Sequence, residues 1–321
     1  MLRVAVLDDY QGRAHEFADW DSLGGDAEVT FFRRPIPQQA LVDTLSGFEV
    51  LVLMRERTAF PREVLERLPR LQLAVTTGMR NASLDAEHLR ERGVPVSGTG
   101  MAGSSAHGLA STVEVAWALI LAVCKRVTLE DRALRNGHWQ LDLPTNLGGA
   151  TLGLAGLGRL GGAMVAPARV FGMDVIAWSE NLTAERGAEF GVRAVSKEEL
   201  LERSDVLSIH LVLSDRTLGL FGAAELALMK PTAALINTSR GPIVDERALI
   251  EALRSGTIAA AGLDVYDQEP LHADNELLSL ENTVLLPHLG YVSEQAMRSM
   301  YADVVADIAA FQAGAPIRLL T

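Results

Sequence analysis

Three residues of complementary chemistry follow short apolar runs in the second half of the chain. Arg240 comes shortly after Ala234–Ile236, Glu269 lies five residues beyond the Asp264 that ends Ala261–Leu263, and His288 follows Thr283–Leu286 and Pro287. A guanidinium grips a carboxylate in a planar two-point contact. An imidazole gains and loses a proton near neutral pH, and a carboxylate beside it orients the ring and favours its charged form. Each has a plainer reading: a loop arginine bonding carbonyls, a turn glutamate before Pro270, a satisfied histidine between domains. Jointly they are better explained as one site, because the apolar runs read as parallel strands whose carboxyl ends share an edge.

The same edge carries a glycine loop. Thr151–Leu160 reads TLGLAGLGRL and is followed by Gly161, so Gly156, Gly158 and Gly161 form G-x-G-x-x-G between an apolar run and a helical one. The first glycine permits a tight turn, the second lets a pyrophosphate approach the backbone, and the third lets helix pack on strand. Arg159 and Leu160 open the helix, whose exposed amides would complete the anion cradle. At the end of the next strand, Ser179 occupies the position that usually selects the ribose, with Glu180 one residue later. A carboxylate there repels a 2′-phosphate, and no Lys or Arg lies between 179 and 184, so NAD is expected rather than NADP; Glu180 as a solvated loop charge is the plain alternative. Thr238, Ser239 and Asp264, together with Arg240 and His288, are expected to border the same cofactor. His210, at another strand end, is a rival acid or a cofactor wall.

Positioning these groups requires two α/β domains. The 321 residues suffice for about two cores. Candidate strands in the first part are Val4–Leu7, Val50–Met54, Leu71–Thr76 and Val94–Ser97, with helical segments at Pro61–Arg67 and Leu84–Arg92. The second series is Thr151–Ala155, Asp174–Trp178, Val206–Ile209, Ala234–Ile236, Ala261–Leu263 and Thr283–Leu286. These runs lack polar alternation, as parallel strands covered on both faces do. A long apolar helix near 107–125 separates the series, and a helix from Ser293 to Ala313 closes the chain. The fold class expected is therefore α/β, with two doubly wound parallel-sheet domains.

Composition narrows the partners. A formal net charge of −12 disfavours nucleic acid and anionic membrane. The apolar run Leu109–Val123 contains Glu114 and is too short to span a bilayer, and MLRVAVLDDY is wrongly flanked for a signal peptide. The single cysteine, Cys124, excludes an internal disulfide and fits a reducing cytoplasm as an inert thiol. No H-E-x-x-H or G-x-S-x-G occurs and the seven histidines are scattered, so neither a metal site nor a serine hydrolase is expected. Ser104, Ser105 and His107 head the apolar helix, where capping is their expected role.

A dinucleotide beside an Arg, a carboxylate and a His suits hydride transfer to a 2-oxo acid. Arg240 would hold the carboxylate and polarise the carbonyl, His288 would protonate the developing alkoxide, and the cofactor would carry the hydride. Leu235–Asp245 (LINTSRGPIVD), Gly262–Val265 through Glu269-Pro270, and Leu286–Gly290 (LPHLG) resemble, in order, the arginine, glutamate and histidine motifs of the D-isomer-specific 2-hydroxyacid dehydrogenases. With the glycine loop these span most of the second domain. The resemblance adds Gly290 to the cofactor residues. It also implies that Arg55 lies near the substrate and that the loop around Gly78 and Met79 holds the substrate carboxylate through backbone amides. It further implies a flavodoxin-like substrate domain, residues 1–101 with 289–321, a Rossmann NAD-binding domain, residues 102–288, inserted into it, closure of the two over the substrate, and a homodimer through the inserted domain. Two departures stand out: Ser179 replaces the ribose-binding aspartate, and Ala155 a larger aliphatic residue. With Thr321 as the last residue, the regulatory extension of some 3-phosphoglycerate dehydrogenases, and its serine feedback, are not expected. Formate dehydrogenases, which pair their histidine with glutamine, are disfavoured by Glu269. A dinucleotide-sensing corepressor with little turnover is the alternative of a different class. Met54, Met79, Tyr291 and Trp139 are candidates for shaping the substrate pocket.

Overall fold

Strands that are apolar on both sides must be covered on both sides, and in the computed structural model, which describes residues 1–100 and 106–320 without the side chains of 106–109, they are. Ser104 and Ser105, and the side chain of His107, lie outside the described residues. The chain divides into two units, Met1–Gly108 with Tyr291–Thr321, and Leu109–Gly290.

In the first unit β1 (Leu2–Val6), β2 (Ala27–Phe31), β3 (Val50–Leu53), β4 (Leu73–Thr76) and β5 (Val96–Gly98) form one parallel sheet ordered β2-β1-β3-β4-β5. Alternate side chains build separate cores on its two faces. Val4, Val6, Val50 and Val52 pack with Met300, Tyr301, Val304 and Ile308 of the helix Glu294–Gln312, whose start is capped by Ser293. Ala5, Leu7, Leu51 and Leu53 pack instead with Leu65 and Leu89 of two short helices. The last stretch of chain thus completes the fold of the first.

In the second unit β6 (Thr151–Ala155), β7 (Asp174–Trp178), β8 (Arg193–Ala194), β9 (Val206–Ile209), β10 (Ala234–Asn237), β11 (Ala260–Leu263) and β12 (Thr283–Leu285) form a parallel sheet ordered β12-β11-β10-β9-β6-β7-β8. The order reverses between β6 and β9, the kind of point at which doubly wound sheets bind ligands beyond their carboxyl ends. The apolar helix Ala106–Cys124 lays Ala116, Leu119, Ile120 and Val123 against Leu152, Leu154 and Ile236 of this sheet. Covering the sheet accounts for that face of the helix. No described helix is long and apolar enough to cross a membrane.

The second unit ends at Gly290, and the reason is local. The Leu289 and Gly290 amides are both bonded to Asp264, which holds them to the second unit. β2 and β8 were not among the expected strands, and each lies at a sheet edge.

Candidate active site

The glycine loop divides its labour as its pattern requires. Gly156 leaves β6 with φ of +101°, and a Cβ there would lie 2.6 Å from the His210 carbonyl oxygen. A Cβ on Gly161 would lie 2.0 Å from the Gly156 carbonyl oxygen, so any larger residue would push the helix Arg159–Val170 off the strand. At Gly158, by contrast, a Cβ would meet nothing within 4 Å. Two glycines serve internal packing, and the middle one faces open space at the start of a helix without a side-chain cap. That is the geometry of an anion cradle. Arg159 is exposed and Leu160 partly so; beyond β7, Ser179 is half-buried and Glu180 exposed.

Two buried polar atoms at neighbouring strand ends lack a hydrogen-bond partner among the described residues, Thr238 Oγ1 and His210 Nδ1. Orphaned atoms of this kind suit a site completed by a bound polar group. Burial pushes the His210 imidazole down to about 4, and its Nε2 sits 2.9 Å from Ser208 Oγ. It is therefore neutral at physiological pH, which fits a wall and not the acid.

The Arg240, Glu269 and His288 segments converge through backbone packing. Asn237 Nδ2 donates to the Arg240 carbonyl at 2.9 Å, its Oδ1 accepts from the Ser239 amide at 3.0 Å, and Ser239 Oγ donates to the Ile209 carbonyl at 2.8 Å. These bonds fix the turn after β10. Next, a Cβ on Gly241 would lie 2.0 Å from the Tyr266 carbonyl carbon, so only glycine lets the arginine segment abut the one leading to Glu269. There the Tyr266 amide donates to Glu269 Oε1 at 3.0 Å, while Glu269 Oε2 meets His288 Nδ1 at 2.6 Å. Burial pushes the Glu269 carboxyl up, but the His288 bond and charge, the Tyr266 amide and the Arg240 charge outweigh it. The group is held below the usual carboxylate range.

His288 itself has left-handed backbone, φ 55°. Such a conformation persists only where its surroundings over-determine it, and here Asp264 does so. That fully buried carboxylate accepts from the Leu289 and Gly290 amides at 2.6 and 2.7 Å. Burial pushes the Asp264 carboxyl up against the pull of those amides. Thr112 Oγ1 also donates to the Gly290 carbonyl at 2.7 Å. The clamp was not legible beforehand, since Asp264 read as a cofactor residue; the only signal was a carboxylate at a strand end.

In the first unit Arg55 also has left-handed backbone, φ 54°, pinned by Thr77 Oγ1 on its amide and Asn81 Nδ2 on its carbonyl. Its guanidinium lies 5.2 Å from the centre of the Tyr291 ring, and that of Arg57 lies 5.5 Å from the same ring. A Cβ on Gly78 would come 2.7 Å from Arg55 Nη1, so Arg55 and the Gly78–Met79 loop do meet. The Gly78 amide donates to Thr99 Oγ1 at 2.8 Å. Met54 is a buried core residue, and Trp139 is 76% exposed in the second unit.

Comparison with known proteins places the chain in a class. Residues 117–290 match the sequence model described as D-isomer specific 2-hydroxyacid dehydrogenase, NAD binding domain. The chain is similar to the glyoxylate reductase of Thermococcus litoralis, 37% identical over 288 residues that cover 87% of this chain and 85% of that one. It is 32% identical to the D-3-phosphoglycerate dehydrogenase of Archaeoglobus fulgidus over 319 residues, 99% of this chain and 58% of the relative. A solved phosphoglycerate oxidoreductase from Vibrio cholerae superposes with a TM-score of 0.91 at 33% identity, covering 98% of this chain and all of that one. The chain belongs to the D-isomer specific 2-hydroxyacid dehydrogenase family. It is an NAD-dependent oxidoreductase that interconverts 2-oxo and 2-hydroxy acids, acting on the CH–OH group.

Proposed function

We propose that the enzyme reduces a small 2-oxo acid to its D-2-hydroxy acid, with His288 as general acid, Glu269 orienting it and Arg240 binding the substrate carboxylate and polarising the carbonyl. The 2.6 Å contact between Glu269 and His288, beside Arg240 in a sheet that also carries the glycine loop, is the observation that supports this most. Gly156, Gly158, Arg159, Leu160 and Gly161 would hold the pyrophosphate, Ser179 and Glu180 the ribose, and Thr238, Ser239 and Gly290 the rest of the cofactor. The chemistry that bound NAD would supply here is transfer of a hydride to or from the substrate carbon. Arg240 draws electron density toward the carbonyl oxygen, making the carbon a better hydride acceptor. His288 delivers a proton to that oxygen, and Glu269, ionised at neutral pH, stabilises the ring while it carries the proton. In oxidation the same histidine takes the proton back. Arg55 and the Gly78–Met79 loop are proposed to hold the substrate carboxylate end.

The proposal extends to a homodimer through the second unit and a cytoplasmic setting. Burial pushes the Cys124 thiol up, which suits an unreactive core residue. The test is loss of reduced-cofactor absorbance with NADH and NADPH, against glyoxylate, hydroxypyruvate, pyruvate and bulkier 2-oxo acids, with chiral analysis of the product. NADH-driven formation of the D isomer is expected. His288→Ala and Arg240→Ala should each lower turnover at least ~100-fold. Wild-type rates in both purified variants, or an L product, would refute the assignment.

A further inference from the structure

The Gly78–Met79 loop follows β4, but its conformation is set from β5 and from the end of the chain. Thr99, fully buried just past β5, donates its amide to the Thr76 carbonyl at 3.0 Å and accepts the Gly78 amide on Oγ1 at 2.8 Å. Gly98, one residue earlier, is pressed against the loop. A Cβ there would lie 2.6 Å from the Gly78 carbonyl oxygen, 2.9 Å from Met79 Sδ and 2.7 Å from Leu320 Cδ1.

Leu320 belongs to a terminal strap that runs antiparallel along β5. The Leu320 amide donates to the Val96 carbonyl and the Gly98 amide to the Arg318 carbonyl, at 2.8 and 2.9 Å, around a bridge between Ser97 and Leu319. Ser97 Oγ adds a bond to the Ile317 carbonyl at 2.8 Å. The strap is anchored in turn to the last helix, where Arg318 pairs with Asp303 and Asp307 at 3.4 and 3.0 Å. Asp303 also accepts the Gly100 amide at 2.7 Å. Backbone and side-chain bonds thus tie residues 97 to 100 to the strap and its helix on one side and to the substrate loop on the other.

The consequence concerns which amides remain for a ligand. Gly78 has φ of +105°, a region that side chains rarely adopt, and its N–H is spent on Thr99. Fixing that peptide fixes the direction of the next ones. The Met79 and Arg80 amides donate no hydrogen bond among the described residues. We propose that Thr99, buttressed by the strap, is a positioning residue that holds the Gly78 peptide so that the Met79 and Arg80 amides are presented to the substrate carboxylate. This rests on the reading of that loop as the carboxylate holder. Thr99 would touch no substrate, so its effect should appear in substrate affinity and not in chemistry.

The test compares Thr99→Val, which keeps the shape and removes the acceptor, with Thr99→Ser, which keeps the hydroxyl. In Thr99→Val, KM for the best 2-oxo acid should rise about tenfold, the worth of one well-placed hydrogen bond. Its kcat and NADH affinity, the latter read by fluorescence, should stay within about threefold, and Thr99→Ser should restore KM. Amide exchange at Gly78 should accelerate in the valine variant alone. Thr99→Ala replaces it if valine is not tolerated. An unchanged KM, or a uniform loss of KM, kcat and NADH binding that serine does not repair, overturns the positioning role. Exchange at Gly78 needs no substrate, which separates the two readings. If the wild type turned over no 2-oxo acid, the functional reading would fail; unaltered exchange in the valine variant would sink the Thr99 link even in an active enzyme.

Discussion

Replacing Gly241 with alanine should disable the enzyme without touching any group that does chemistry. The added Cβ would stand 2.0 Å from the Tyr266 carbonyl carbon, 2.2 Å from its oxygen and 2.6 Å from the Asp267 nitrogen, all backbone atoms. Ordinary carbon contacts begin near ~3.5 Å, so the segments must part by roughly 1.5 Å. Gly241 is not among the residues with positive φ, so the penalty is steric and local rather than conformational. The displaced neighbours matter: Arg240 lies on one side, and on the other the Tyr266 amide positions Glu269. Catalytic groups tolerate only about 0.5 Å of misplacement, and an error of about 1 Å costs on the order of 100-fold. We expect kcat/KM for 2-oxo acid reduction to fall roughly 100-fold, with NADH binding weakened less, because the glycine loop lies elsewhere in the sheet while Thr238 and Ser239 adjoin the displaced turn. Stability should drop by about 1–3 kcal/mol, as for an overpacked core. The assay is NADH consumption alongside fluorescence titration of NADH and a thermal melt. A folded variant with wild-type kcat/KM would show that the abutment of these segments does not set the catalytic geometry.

Two further outcomes follow from the titrating groups. Glu269→Gln should move the alkaline limb of the reduction pH–rate profile to lower pH, because the carboxylate that the structure keeps ionised beside His288 is gone; a limb that stays put would refute the pairing. Asp307, fully buried with Oδ2 unpartnered among the described residues, has its carboxyl pushed up to about 7 by burial, against the pull of Arg318 and helped by Asp303. A raised acid stabilises the fold below its unfolded pKa, and that contribution is lost as pH rises through the folded value. Its own contribution should therefore fade from about pH 4 to about pH 7, so the urea midpoint of the native protein should fall relative to that of Asp307→Asn across that window; a constant difference would refute it.

What the sequence discloses depends on how local the physical cause is. The strands of the second sheet are announced by largely apolar runs, and β6, β7 and β9 begin and end at the residues expected of them. β2, Ala27–Phe31, escapes because it is an edge strand with Glu28 exposed and no fully buried position. β8 is only two residues long. Arg240, Glu269 and His288 were legible as three residue types near strand ends, whose segments the structure brings together, and the glycine loop as a spacing. Other determinants depend on neighbours distant in sequence. The amides that Asp264 holds lie 25 and 26 residues away. Gly241 shows its necessity only beside Tyr266, and the Thr99 bond spans 21 residues.

Asp264 and Thr99 solve the same problem. A backbone segment that must present a functional group in a sparsely populated conformation needs its own amides tied down, or it would relax to an ordinary one. At His288 the acceptor is a buried carboxylate that takes the two amides after a left-handed residue. At Gly78 it is a buried hydroxyl that takes the amide of the left-handed residue itself. The difference matches the load. The Asp264 carboxylate spreads two amides over its two oxygens beside a left-handed histidine, whereas the Thr99 hydroxyl takes the single Gly78 amide. In both units, then, buried acceptors to which no step of the reaction is assigned hold the backbone of the proposed site residues.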